Sequence, residues 1–251
     1  MKVAVMMAAY NAERYIEAAL GSLLRQRNDA LLDIIVVNDG STDGTSAIVR
    51  RLASEAPEIR LIEQANQGIT RTRNVLLDAI APDTDFVTTN DSDDLSPPGR
   101  FARDGKLLAD DPAAQLAYGY MFVFRGEGDD PMAPDFVGRT AKVRGIHLGA
   151  MLARYSFLQS VGRFDEKFVQ AEDTDYLFRA LETQPRVALV DDVSYIYRRH
   201  ETNISANPRI VRREFARALL AATRRRQIHK VPGVPANFFD HGPMAEDNSW
   251  Y

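Results

Sequence analysis

The chain has no cysteine among its 251 residues and a single tryptophan, and its longest apolar run is only Val3 to Ala9. Without cysteine there are no disulfide frameworks, thiolate zinc sites, iron–sulfur clusters or cysteine nucleophiles. A run that short falls far below the roughly 18 to 20 residues a helix needs to cross a bilayer. It also lacks the apolar core and cleavage site of a secretory signal, so a cytoplasmic protein is expected. The glycine-rich loops G-x-G-x-x-G and Walker A are missing, as is the G-x-S-x-G nucleophile turn. No internal repeat or low-complexity tract is present.

What is present is ordinary globular composition, 45% apolar and 26% charged, in a chain long enough for one large α/β domain with its own core. The net charge of −4 is unevenly spread. From Arg198 to Lys230 ten Lys/Arg face two Glu, a local +8 that leaves −12 on the remainder. Asp83, Asp85, Asp91, Asp93, Asp94, Asp104, Asp110 and Asp111 crowd one short stretch. A carboxylate-rich centre with a basic end points to a metal site and an anionic partner.

The first half alternates apolar runs with helical patterns. Val3 to Ala8, Ile34 to Val37, Leu61 to Glu63 and Phe86 to Thr89 read as strands buried in a parallel sheet. Asn11 is placed to cap a helix bearing Ile16, Leu20, Leu23 and Leu24, and Thr42 or Asp43 to cap one bearing Ile48, Val49 and Leu52. Gly68 opens a third, with Val75, Leu76 and Ile80 inward. Such units wind into a Rossmann-like, mostly parallel sheet flanked by helices, with ligands beyond the carboxyl ends of the strands. Tyr10-Asn11, Asp39-Gly40 and the Asp91 cluster all fall on that edge.

The second half is less regular. Ala117 to Phe124, Leu148 to Ala153 and Val187 to Val190 read as strands, Thr174 to Thr183 as a helix, and Gly126 to Gly138 as a polar loop. Arg209 to His229 is a basic helix whose expected inner stripe is Val211, Phe215, Leu219 and Ala222, followed by an extended tail from Pro232.

Several constellations carry chemistry. Asp91-Ser92-Asp93-Asp94, just past a strand, offers hard oxygen ligands for Mg²⁺ or Mn²⁺; a solvated acidic turn is the plainer alternative. It is no EF-hand loop, because Ser96 and Ala102 stand where Gly and Glu are required. Asp39-Gly40-Ser41 offers a carboxylate to a base N–H or ribose hydroxyl, or is simply a helix-entry turn. Glu172-Asp173 at a helix start offers a general base, or an N-cap. His200, as a lone histidine, is ordinarily structural, and Arg73 is by default a surface charge.

Together these residues resemble the inverting family 2 glycosyltransferases of the GT-A fold, from about Val3 to His200. The resemblance rests on an ordered series. It begins with Ala8-Ala9-Tyr10-Asn11, then Val36-Val37-Asn38-Asp39-Gly40-Ser41-Thr42-Asp43, then Asn66-Gln67-Gly68 with Arg73-Asn74. It continues with Asp91-Ser92-Asp93-Asp94 and Pro98, Phe164-Asp165-Glu166 with Glu172-Asp173, and Tyr197-Arg198 with His200. Ala8 stands where the family often has Pro, Asn38 where Asp is common, and Thr72 where Ala usually precedes Arg-Asn.

The resemblance implies a GT-A domain over 1–207, with a nucleotide-binding half of about 1–98 and an acceptor-binding half of about 99–207. A basic helix and tail over 208–251 would follow. Asp39 would meet the nucleotide base, with Ala8 and Tyr10 lining its pocket. Arg73 would support the nucleotide or the carboxylates. Asp91 would reach the ribose or a metal-bound water, Asp93 would hold Mn²⁺ or Mg²⁺, and His200 would contact the metal or diphosphate. Asp173 would be the general base, with Glu172 beside it facing the acceptor pocket. The expected partners are a nucleotide-sugar donor, UDP-linked, and a saccharide or lipid-linked acceptor, as in polysaccharide biosynthesis. No nucleic acid is expected, and the basic helix is a candidate for peripheral contact with an anionic membrane surface.

Processive relatives carry Q-x-x-R-W, but here Gln227 is followed by Ile228, His229, Lys230 and Val231, so one sugar per encounter is expected. Two other readings stand beside the enzyme: a sugar-nucleotide-binding relative without turnover, and a metal-dependent phosphohydrolase using Asp191-Asp192. The second is weakened by Leu95, which stands where such phosphatases have Thr.

Overall fold

A computed structural model describes residues 1–125, 140–201, 208–234 and 238–242. The loop expected over Gly126 to Gly138 lies outside the described residues. The strands are β1 (Lys2–Ala9), β2 (Leu31–Asp39), β3 (Ile59–Gln64), β4 (Phe86–Thr89), β5 (Leu116–Arg125), β6 (Thr140–Val143), β7 (Met151–Arg154) and β8 (Val187–Arg199). The helices are α1 (Ile16–Leu24), α2 (Thr45–Glu55), α3 (Ile69–Asp78), α4 (Arg100–Asp110), α5 (Tyr155–Val161), α6 (Glu172–Glu182) and α7 (Pro208–His229).

β3, β2, β1 and β4 run parallel in that order. β7 joins β4 antiparallel, and β5 joins β7 antiparallel. β5 also pairs with β6 antiparallel and with β8 in parallel. The parallel strands are apolar on both sides because helices cover both faces. Val3, Val5 and Met7 of β1 pack with α1 and α2 residues such as Leu20 and Val49. The alternate residues Ala4 and Met6 pack with Leu76 of α3 and with Ile80. The period of two along a strand therefore feeds two separate cores.

Four local expectations differ from the structure. Asn11 does not cap α1; its φ is +49°, and its Oδ1 accepts from Thr42 N–H at 2.8 Å, tying the β1–α1 loop to the β2–α2 loop. Leu148 to Ala150 is a single 3₁₀ turn rather than strand, so β7 starts at Met151. β8 runs on to Arg199, well beyond Val190, because β5 pairs with it again at Val193 and from Tyr195 to Arg199, past two shifts of register.

The fourth difference is the face of α7. Glu214, Ala218 and Ala222 are buried, whereas Phe215 and Leu219 are 39% and 41% exposed. Glu214 turns inward with Arg213 and Arg217 as partners, and small alanines allow close approach, so the large apolar side chains are left outside. Arg225 on the inner side clamps α6, donating to Asp175 Oδ1 at 2.8 Å and to Glu182 Oε2 at 2.8 Å. Beyond α7, Phe238 enters the core and Asp240 bridges to Arg144.

Candidate active site

The carboxyl ends of β1, β2, β4 and β8 bring the polar residues to one edge of the sheet. Gly40, at φ +72°, turns the chain after β2; a Cβ there would lie 2.7 Å from Asn66 N. The preceding Asp39 is buried, and its carboxylate accepts from Gln64 Nε2 at 2.7 Å, Gln67 N–H at 2.8 Å and Gly68 N–H at 2.9 Å. Asp39 thus shapes the β3–α3 loop and retains acceptor capacity for one further donor. Ala8, next to last in β1, is half-buried, and Tyr10, just past the strand, is 53% exposed, an aromatic face open at the rim.

α3 carries the connection between the two halves. Asn74 donates to Phe164 C=O at 3.1 Å and accepts from Phe164 N–H at 2.9 Å, fastening the 162–171 loop to the first half. Thr70 donates to Phe168 C=O from the same helix. Between them in sequence, Arg73 is buried with its guanidinium 2.9 Å from Glu172 Oε1 and 3.3 Å from Asp91 Oδ1. Burial opposes its charge, but Asp91, Glu172 and Asp173 outweigh that and raise its pKa further. Burial likewise works to raise the Asp91 carboxyl, and the Arg73 charge together with His147 overcomes it and holds Asp91 well below the usual carboxylate range.

Glu172, which the resemblance sets beside the general base, is buried against Arg73. Burial pushes its carboxyl up to about 7, with Arg73 opposing and Asp173 adding to the rise. Asp173 beside it is half-buried. Its Oδ1 accepts from Thr174 N–H at 2.6 Å, and among the described residues Oδ2 accepts no hydrogen bond. Ala171 immediately before α6 has φ +57°, an uncommon conformation for a side chain with Cβ. The surrounding contacts from α3 and α7 hold this strained entry, as is frequent at functional sites.

The acidic turn after β4 divides by role. Asp93 Oδ2 is 2.9 Å from His200 Nε2 at the end of β8, and that imidazole stacks on Tyr15 at 4.6 Å. Asp94 is fully buried, accepting from Tyr195 O–H at 2.7 Å and Arg198 N–H at 2.7 Å. Burial, then the charges of Asp93 and Asp91, push its carboxyl well up. Asp91, Asp94 and His147 each bring one potential ligand atom within 4.8 Å of the others. The sequence did not single out His147; a lone histidine in an irregular stretch gives no periodic or motif signal.

The second carboxylate pair, Asp191 and Asp192, is engaged elsewhere, by Arg144 and Arg103.

The family model for glycosyl transferase family 2 matches residues 4–172, and the chain belongs to this family. It is similar to EpsJ of Bacillus subtilis, an uncharacterized glycosyltransferase, at 27% identity over 224 residues, covering 82% of this chain and 63% of EpsJ. The chain therefore spans a little under two thirds of that relative's length. In structure it is similar to S. aureus TarS 1–349 in complex with UDP-GlcNAc, with TM-score 0.66 and 22% identity over 81% of this chain and 60% of that one. It is similar also to the mannosyltransferase PcManGT from Pyrobaculum calidifontis in complex with GDP-Man and Mn²⁺. There the TM-score is 0.63 at 21% identity, over 93% of this chain and 65% of the other. The fold is GT-A.

Proposed function

We propose that the chain transfers a single sugar, hexosyl or N-acetylhexosaminyl, from a nucleotide-sugar donor to an acceptor hydroxyl with inversion. The donor we favour is UDP-linked. The observation that carries this reading is Arg73, which joins Asp91 beyond β4 to Glu172 at the start of α6, next to Asp173. A donor-side carboxylate and an acceptor-side carboxylate are thereby fixed in one geometry.

Asp173 Oδ2 takes the acceptor hydroxyl proton as that oxygen attacks the anomeric carbon from the face opposite the diphosphate. One displacement inverts configuration. Asp39, with Ala8 and Tyr10 around it, receives the base, and Asp91 receives the ribose. Asp93 and His200 form an oxygen-and-imidazole donor set that fits Mn²⁺ or Mg²⁺, with Asp91 nearby. A divalent ion held by these residues would supply positive charge against the departing nucleoside diphosphate. Glu172 and Arg73 set the position of Asp173 rather than moving protons themselves.

The acceptor we infer is a saccharide or lipid-linked saccharide at an anionic membrane surface, in the cytoplasm. α7 supports this with Phe215, Leu219 and Leu220 exposed among Arg212, Arg213 and Arg224. No helix of the described residues is long and apolar enough to cross a membrane.

Asp173→Asn tests the mechanism. Transfer is expected to fall by roughly 10² to 10⁴-fold, while Mn²⁺-dependent nucleotide-sugar binding, read by thermal shift, stays near wild type. Near-normal turnover by the variant would sink the assignment.

A further inference from the structure

His147 is fixed from every side. Its backbone N–H donates to Tyr118 Oη at 3.1 Å, and Tyr118 O–H in turn donates to Gly145 C=O at 2.6 Å. The imidazole packs on Tyr195 at 4.3 Å and lies 5.6 Å from Tyr197. Gly149 completes the clamp: its N–H donates to His147 Nδ1 at 2.9 Å, and a Cβ at 149 would come within 2.3 Å of the Tyr195 ring.

The Gly149 bond decides the chemistry of the ring. An imidazole nitrogen that accepts a hydrogen bond carries the lone pair, so in the neutral ring Nε2 carries the proton. The cationic ring has no acceptor and loses this bond. With Nδ1 accepting from Gly149, Nε2 is the nitrogen that presents an N–H, at 3.5 Å from Asp91 Oδ2. The ring's only lone pair is spent on the backbone, so it does not ligate a cation in this arrangement. Asp94, the other member of that trio, is fully buried and already accepts from Tyr195 O–H on one oxygen and from Arg198 N–H on the other.

The position of this N–H is as informative as its tautomer. Asp91 lies on the donor side of the site. Through its other oxygen Asp91 meets Arg73, which reaches Glu172 beside Asp173. The spacing to Asp91 is too long for a full hydrogen bond, which leaves the N–H shareable with a second acceptor. In the transferase reading a donor held at Asp91 carries its sugar toward Asp173, and the sugar is the part of it that comes within reach of an N–H lying 3.5 Å from Asp91.

We propose that His147 is a sugar-binding residue. Its Nε2–H donates to a hydroxyl or acyl oxygen of the transferred sugar and steadies Asp91 Oδ2 opposite the Arg73 contact. The assignment rests on the glycosyl-transfer reading above. A fixed donor of this kind discriminates between sugars that present an oxygen at that point and those that do not.

The test uses the full chain with Mn²⁺, calorimetric titration of UDP-GlcNAc and GDP-mannose, and the matching nucleoside diphosphate of whichever binds tighter. His147→Leu is expected to weaken nucleotide-sugar binding about 5- to 10-fold, the worth of one hydrogen bond. The nucleoside diphosphate is expected to change less than about twofold, and His147→Gln, which keeps a neutral N–H, to restore most of the loss. Equal losses for both ligands, no loss, or no rescue by Gln would overturn the proposal. So would a large loss of Mn²⁺ affinity without nucleotide, which would make His147 a ligand. Failure of the wild-type chain to bind either nucleotide sugar would overturn the transferase reading, and this inference with it. A second measurement does not depend on a folded variant: ¹⁵N NMR of the wild-type chain should place the His147 proton on Nε2, and a proton on Nδ1 rules the inference out.

Discussion

The loops after β1 and β2 and the centre around Arg73 are held together by different kinds of contact. In the first, Asn11, Glu13, Ser41 and Asp43 exchange hydrogen bonds across about 30 residues of chain, at a partly exposed rim. Each involves a backbone N–H at a turn, the kind of group such side chains satisfy wherever the turn occurs. In the second, Arg73 is buried between Glu172 and Asp91, Asn74 grips a backbone 90 residues away, and His200 meets Asp93 across 107. Loss of a rim contact is repaired by water. Loss of a partner at the centre leaves a desolvated charge.

The largest effect that separates the two regions is expected from Arg73→Met. It leaves Glu172 and Asp91 without their cation and should cost about 3–5 kcal/mol of folding stability. Asp43→Ala, which removes the acceptor for Thr45 N–H at the start of α2, should cost only about 1 kcal/mol. Denaturant melts of the two variants check this, and equal costs would erase the distinction.

A pH series sharpens it. The Glu172 carboxyl is raised to about 7 from an ordinary 4.5, so the folded chain holds that proton more tightly than the unfolded one. The associated stability is fully present below about pH 4.5 and is lost as pH rises through about 7. Relative to Glu172→Gln, the wild-type chain should lose on the order of 3 kcal/mol between pH 4 and 8. Asp94 is also raised but is common to both proteins, so the difference isolates Glu172. A flat difference across that range would mean that Arg73 keeps Glu172 ionised throughout.

The smallest effect is expected at the surface of α7. Replacing Phe215, Leu219 and Leu220 together by Ser should reduce co-sedimentation with phosphatidylglycerol vesicles several-fold, because the apolar area available for burial at the lipid interface is lost while the basic residues remain. Folding should be little changed, because these side chains are already exposed. Binding by the wild-type chain that does not depend on anionic lipid would remove the membrane from the picture.

The sequence by itself determined the strand–helix alternation of the first half and the placement of Asp39, Asp91 and Asp93 at the carboxyl edge. Periodicity and turn chemistry are local properties, and a parallel sheet leaves few ways to arrange them. The tertiary structure decided which groups meet: that Glu172 is buried against Arg73, that Asp93 rather than Asp91 faces His200, and that His147 belongs to the site at all. It also turned α7 so that Glu214 and two alanines face inward and the larger apolar residues outward, against the simplest amphipathic reading. These outcomes depend on how elements about 100 residues apart pack and how they desolvate one another's charges. That balance is set by three-dimensional neighbours, which spacing along the chain does not encode.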